Sequence, residues 1–204
     1  MRIFVNHILL FLIILPSSIW AQEKTIQNLG TSYREEANAA SLYQACSEQA
    51  WKESMSEVAI LFMALSRAES IHAETYRKLL ERAGQVVEKV NPALLTGNTL
   101  QNLKMSSNTE RNIMGRRYPF YISDAKIEGQ NDASKAMRWA METEKKHFIL
   151  LNKVLSLIES GNTKSLPKIY WVCPKCGNVY DVAKPESMCS LCGTSSSKFI
   201  KFVK

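Results

Sequence analysis

Residues 67–74 read RAESIHAE, and residues 144–147 read EKKH. Each stretch sets a glutamate three places before a histidine, Glu69 before His72 and Glu144 before His147. The chain has only three histidines, and the third, His7, lies in the apolar opening segment. Residues three apart share one face of a helix, so each Glu-x-x-His pair projects together and can grip one ion. Two more glutamates complete a repeated plan: Glu36 stands 33 residues before Glu69, and Glu110 stands 34 before Glu144. A lone Glu followed by Glu-x-x-His, twice over, is an internal repeat at the level of a site. Carboxylates turned into an apolar interior with no cation face a severe desolvation cost, which argues against an ordinary packed core.

The apolar periodicity around these residues predicts four long helices. The first covers Thr31 to about Lys52, with Ala37, Ala40, Tyr43 and Ala50 near one stripe. The second runs from about Ser56 to Ala83 and stops at Gly84, a fitting C-terminal cap. QVVEKVNPALLTGNT then breaks the pattern with Pro92 and Gly97 and reads as a crossover loop. The third helix is expected from about Thr99 to Glu128, before Gly129, with Pro119 kinking it or forcing a local rearrangement. The fourth runs from about Asp132 to Ser160, before Gly161. Four long helices with one longer middle connection describe a four-helix bundle of two hairpins. Glu36 is preferred over Glu35 as the inward carboxylate, by its spacing and the apolar ANAASLY that follows; Glu144 is preferred over Glu142 because it pairs with His147. Tyr43 and Tyr118 read as core aromatics with satisfied hydroxyls, or as hydrogen-bond partners of the ligand carboxylates.

The last part of the chain changes character. CPKC and CSLC place Cys173, Cys176, Cys189 and Cys192 as two C-x2-C pairs with twelve residues between them. Two such knuckles can aim four thiolates at one tetrahedral ion, and a segment of about 35 residues needs a staple of that kind to close a core. Cys46, within the first helix, reads as a buried small side chain. The opening MRIFVNHILLFLIILPSSIWA has a short apolar run and ends on small residues, as a secretory signal does. The run is short for a retained membrane anchor. The expected organisation is a signal over 1–21, a helical bundle over 22–161, a linker over 162–169 and a metal module over 170–204. Export, with the periplasm as destination, follows from the signal, and no membrane attachment is expected once it is cleaved. Residues 162–204 carry seven lysines against Asp181 and Glu186. A basic tail can mean nucleic acid, but an exported protein meets little of it, so an acidic protein partner is the functional reading and a solvated surface the ordinary one.

In their order and spacing, EANAASLY, ESIH, EKKH, the YP of Tyr118 and Pro119, and the cysteine quartet make the chain resemble the rubrerythrins from about Thr25 to its end. That resemblance implies an all-α ferritin-like four-helix bundle followed by a small C-terminal rubredoxin-like β/knuckle domain. It implies that Glu36, Glu69, His72, Glu110, Glu144 and His147 bind two non-haem irons, with no catalytic side chain beyond these ligands. Cys173, Cys176, Cys189 and Cys192 would bind a third iron, although the cysteine spacing permits zinc equally. The implied activity is a peroxidase of oxidative-stress defence that reduces hydrogen peroxide to water, fed with electrons through the four-cysteine site by a donor protein. A long path from module to bundle within one chain is expected, which favours a head-to-tail homodimer. Two other readings stay open: a di-iron ferroxidase or oxygen scavenger, and a non-enzymatic metal-binding protein with structural zinc. One residue departs from the family pattern. Rubrerythrins carry a second Glu three residues after the third-helix ligand, where this chain has Ile113. In the family that carboxylate and the second-helix histidine take turns on one iron as the redox state changes, so here the iron is expected to stay on His72.

Overall fold

The computed structural model describes residues 23–92 and 94–204, with residues 113–116 described by their backbone alone. The expected signal over 1–21 lies outside the described residues, as does the side chain of Ile113. Helices α1 (Glu23–Lys52) and α2 (Ser56–Arg82) form one hairpin. Helices α3 (Thr99–Arg116) and α4 (Tyr118–Ile127) pack on α5 (Asn131–Glu159) as the other. α1 starts eight residues before the expected Thr31, since the half-buried Ile26 and buried Leu29 extend its inner face and the exposed Glu23 gives its first turn an acidic residue. The helix expected over 99–128 is two helices, because Pro119 lacks an N–H and sits in the first turn of α4, with the break at Arg117. Gly84, Gly129 and Gly161 take positive φ just past the ends of α2, α4 and α5, where a left-handed residue closes the last turn. No helix among the described residues is long and apolar enough to cross a membrane.

The bundle core has two apolar clusters. One holds Phe62, Leu65, Leu103, Leu150 and Leu151; the other holds Leu29, Leu80, Met137, Tyr76 and Tyr118. Along α1, α2 and α5 the sequence passes from one cluster to the other, and Glu36, Glu69, His72, Glu144 and His147 fall at the crossing. Polar side chains are thereby held in a band with packed hydrocarbon on both sides, where their geometry cannot drift.

The C-terminal module is a three-stranded antiparallel sheet in the order β2-β1-β3, with β1 Ile169–Val172, β2 Val179–Tyr180 and β3 Ile200–Val203. Its alternation buries Tyr170 and Val172 against the bundle, and with Val179 they join the first apolar cluster. The module therefore shares a core with α2 rather than hanging from a free linker.

Candidate metal centres

Five helices supply the polar band. α1 brings Glu36 and Tyr43, α2 brings Glu69, His72 and Tyr76, and α3 brings Glu110. α4 brings Tyr118, and α5 brings Glu144 and His147; all of these are buried. His72 Nδ1 faces Glu69 at 3.0 Å, Glu144 at 3.4 Å and Glu36 at 3.8 Å. His147 Nδ1 faces Glu69 at 3.1 Å, Glu144 at 3.1 Å and Glu110 at 3.8 Å. Two four-residue groups result, Glu36–Glu69–His72–Glu144 and Glu69–Glu110–Glu144–His147, each with ligand atoms within 4.8 Å of one another. Glu69 and Glu144 belong to both. A pair of ions sharing two carboxylates, each with its own histidine and terminal glutamate, matches this two-fold arrangement.

The charges show why cations belong there. Burial, followed by the charges of Glu144 and Glu69, pushes Glu36 up to about 8 and Glu110 well above the usual carboxylate range. Burial also opposes charge on the histidines, yet the carboxylates outweigh it and raise His147 to about 9 and His72 well above its ordinary value. The same histidines, against burial, hold Glu69 and Glu144 below the usual range. Protons thus occupy the positive positions of the band in the bare protein. Glu144 Oε1 is buried without any hydrogen bond, the condition a metal ion would relieve. The donor set of imidazole and carboxylate suits iron among the transition metals.

The outer hydrogen bonds are ordered as well. The Tyr43 hydroxyl donates to Glu110, and the Tyr118 hydroxyl donates to Glu36. Both tyrosines are therefore core aromatics whose hydroxyls are satisfied by the outer carboxylates. Tyr76 was not singled out from the sequence, although it stands one turn after His72; its hydroxyl donates to that of Tyr118 at 3.1 Å.

The family model for rubrerythrin matches residues 27–155. The chain belongs to the rubrerythrin family. A rubrerythrin of Clostridium perfringens is 29% identical over 174 residues, which cover 83% of this chain and 89% of that one. A rubrerythrin of Porphyromonas gingivalis is 26% identical over 177 residues, 86% of this chain and 88% of that one. Fully reduced nigerythrin aligns with a TM-score of 0.80 at 23% identity, covering 87% of this chain and 86% of its own, which is a likeness of fold. As in the rest of the rubrerythrin family, the carboxylate–histidine cage is a di-iron site and the four cysteines form a site for one metal.

In the cysteine site the Cys173 and Cys192 sulfurs lie 3.5 Å apart and those of Cys176 and Cys189 lie 3.6 Å apart, all four being free thiols. Four sulfurs at about 2.3 Å from a central ion stand roughly 3.8 Å apart, so the quartet is close to its loaded shape. The Cys176 thiol, then the backbone N–H groups of Cys176 and Lys175, stabilise the Cys173 thiolate and bring its pKa down to about 4. The Tyr180 hydroxyl donates to Cys189 Sγ at 3.2 Å. Cys46 is remote from the quartet, buried among apolar neighbours, and burial pushes its thiol up to about 12, which leaves it inert.

The expected long path between the two sites of this rubrerythrin fold is not found. His72 Nε2 lies 3.1 Å from the backbone oxygen of Cys176 in the same chain, and 2.9 Å from Thr143 Oγ1. The approach depends on Gly177, whose φ is +77° and where a Cβ would come within 2.5 Å of His72 Nε2. The shared core of module and α2 makes this possible, and the distance argument for a head-to-tail dimer falls away. Gly177 had a signal in the sequence, since a glycine follows the second cysteine of each knuckle. Thr143 had none, because its partner is distant in the chain.

Proposed function

We propose that this chain reduces hydrogen peroxide to water at its di-iron site, with electrons entering through an iron held by Cys173, Cys176, Cys189 and Cys192. One observation carries the reading: two histidines and four glutamates converge so that Glu69 and Glu144 serve both halves of the cage. Glu36, Glu69, His72, Glu110, Glu144 and His147 would hold two irons, and a ferrous pair bound there would supply the two electrons that cleaving a peroxide O–O bond requires. The chain's residues do the rest. Glu36 and Glu110 would cap the outer positions and Glu69 and Glu144 the shared ones. The packed layers on either side restrict water. The Tyr43 and Tyr118 hydroxyls keep protons at the terminal carboxylates, where the reduction of peroxide consumes two.

His72 links the two sites. Its Nε2–H donates to Cys176 O, which leaves Nδ1 free to bind metal and gives electrons a short bonded route from the cysteine knuckle. Tied on its far side by two oxygens, the ring resists leaving its iron, which suits a chain with Ile113 in place of the family's alternating carboxylate. Structures of the oxidised and reduced protein test this: the iron remains on His72 in both, and a large displacement between them overturns it.

The absent carboxylate also favours a second reading, a ferroxidase or oxygen scavenger. Steady-state turnover of the iron-loaded protein with hydrogen peroxide or with dioxygen separates the two. Peroxide at least ten times faster than dioxygen supports the proposal, and the reverse order favours the alternative. The colour of the four-cysteine site identifies its metal, since ferric iron is red there and zinc is colourless. The opening segment adds that this activity operates after export, in the periplasm. Cell fractionation and N-terminal sequencing of the protein from its host test that part.

A further inference from the structure

We infer that the seam between α1 and α3 is the route by which substrate reaches the di-iron site, and that its apolar outer wall accepts the organic group of an alkyl hydroperoxide. This rests on the peroxide-reducing reading and names a wider substrate class for it.

Two cavities meet at this seam. The inner one, about 20 Å³, is lined by Glu36, Tyr43, Glu69, Glu110 and Glu144, and so opens on the cage itself. The outer one, about 590 Å³, lies beneath the crossover between α2 and α3. Glu35, Ala39 and Thr109 line both, which puts the two cavities on either side of those three side chains. Helical spacing explains the shared wall. Glu35, Ala39 and Leu42 fall on one face of α1, and Thr109 and Asn112 on one face of α3. The wall the two cavities share thus carries two small side chains, Ala39 and Thr109, beside Glu35.

The outer cavity has two characters. Leu42, Pro92, Leu94 and Leu95 form an apolar wall, while Asn38 and Asn112 supply polar groups. Its volume is in the range of small-molecule sites, and apolar walls with a few polar groups are the usual composition of such sites. The inner cavity has room for about one water-sized group. An elongated molecule with a polar O–O end and a compact hydrocarbon end fits the pair. Leu95 is 87% exposed and Leu94 41%, apolar surface that a bound hydrocarbon would cover. At the rim, the Arg117 guanidinium pairs with Glu35. The Arg117 side chain is 48% exposed and that of Glu35 34%, and an ion pair this open to water contributes little, so it can swing aside for a guest at small cost. The reaction is ROOH with two electrons and two protons giving ROH and water. The O–O bond breaks, and the electrons come from the same one-electron donor protein that serves hydrogen peroxide.

The test has a binding arm and a turnover arm, both on the full chain. The zinc-loaded protein, which cannot turn over, is titrated with 2-phenyl-2-propanol, the alcohol product of cumene hydroperoxide, and followed by methyl NMR. Saturable shifts confined to Leu42, Leu94 and Leu95 support the proposal; shifts elsewhere or none overturn it. The iron-loaded protein is then given cumene hydroperoxide and hydrogen peroxide. Turnover of both, with Leu95→Asp lowering the ratio of their kcat/KM values at least fivefold against the organic substrate, is the expected result. Hydrogen peroxide turnover without cumene hydroperoxide turnover overturns this inference and leaves the proposed function standing. Turnover of neither overturns both. The site of Leu95→Asp is on the surface, so loss of fold does not obscure the outcome.

Discussion

His72 Nε2 stands 3.1 Å from the carbonyl oxygen of Cys176, so one imidazole joins the carboxylate cage to the cysteine quartet. Its Nδ1 meanwhile lies 3.0 Å from Glu69. One ring thus serves two centres, and the hydrogen bond at Nε2 fixes the tautomer that leaves Nδ1 available to a metal. A domain appended for stability alone would have no need to place its metal knuckle against a ligand of the other site.

Gly177→Ala tests that junction. The new Cβ would fall 2.5 Å from His72 Nε2 and 3.2 Å from the Ala68 carbonyl, and the backbone φ of +77° disfavours any side chain. The knuckle must move away from α2. The expected result is a protein that still loads both sites but passes electrons between them more slowly, by about tenfold or more, as small misplacements at a reacting junction cause. Stopped-flow spectroscopy of the reduced protein mixed with peroxide checks this, through the rate at which the colour of the ferric cysteine site returns.

Thr143 holds the same ring from its own bundle. Its hydroxyl lies 2.9 Å from His72 Nε2 and donates to the Ala140 carbonyl at 2.7 Å. Thr143→Val keeps the shape and removes the oxygen. Because partners behind a ligating histidine set its orientation and basicity, metal affinity at the cage should fall by about tenfold. Competition with a coloured chelator measures it, and Thr143→Ser should recover most of the loss.

The bare protein should respond to pH in a way the loaded one does not. Burial and neighbouring carboxylates raise Glu36 from 4.5 to about 8, and Glu69 and Glu144 overcome burial to raise His147 from 6.5 to about 9. A group raised on folding stabilises the fold below its unfolded value and ceases to do so as pH climbs through its folded value. Glu36 therefore loses its contribution between 4.5 and about 8, and His147 between 6.5 and about 9. Glu69 and Glu144 are lowered, and their contributions vanish only in acid, below the ordinary carboxylate value. Denaturant midpoints of chelator-treated protein should fall from pH 6.5 to 9. With zinc in the cage, ions replace those protons and the fall should flatten or reverse.

Much of this site was legible in the sequence because helices turn spacing into geometry. Glu69 with His72, and Glu144 with His147, needed only the three-residue interval, and Glu36 and Glu110 only the repeat of the plan. The helix ends at Gly84, Gly129 and Gly161 were readable for the same local reason. What escaped depends on contacts between distant parts of the chain. Pro119 announced a disturbance but not whether the helix would bend or end. Nothing local shows that Val172 and Val179 of the module share a core with Leu61 and Leu65 of α2, and this packing removes the expected gap between the two metal sites. Tyr76 was within reach, since it lies four residues after His72 on the same face, but only the fold shows the Tyr118 hydroxyl opposite it.

Tyr76 and Tyr118 supply the last prediction, in which two substitutions together should harm less than the sum of each alone. Tyr76 donates to the Tyr118 hydroxyl, and Tyr118 donates to Glu36; both rings are buried. Tyr118→Phe removes the donor from a buried carboxylate and also strands the Tyr76 hydroxyl, and an unsatisfied buried polar group costs about 1–3 kcal/mol. Tyr76→Phe strands less, because the Tyr118 hydroxyl keeps Glu36 as its acceptor. The double variant removes the stranded hydroxyl along with its former partner. Its loss of stability should therefore be smaller than the sum of the single losses by about 1 kcal/mol, the coupling typical of groups in one network. A double-mutant cycle from denaturant unfolding of the zinc-loaded protein gives that coupling directly. Strict additivity would mean that the two hydroxyls do not form the chain of hydrogen bonds behind Glu36.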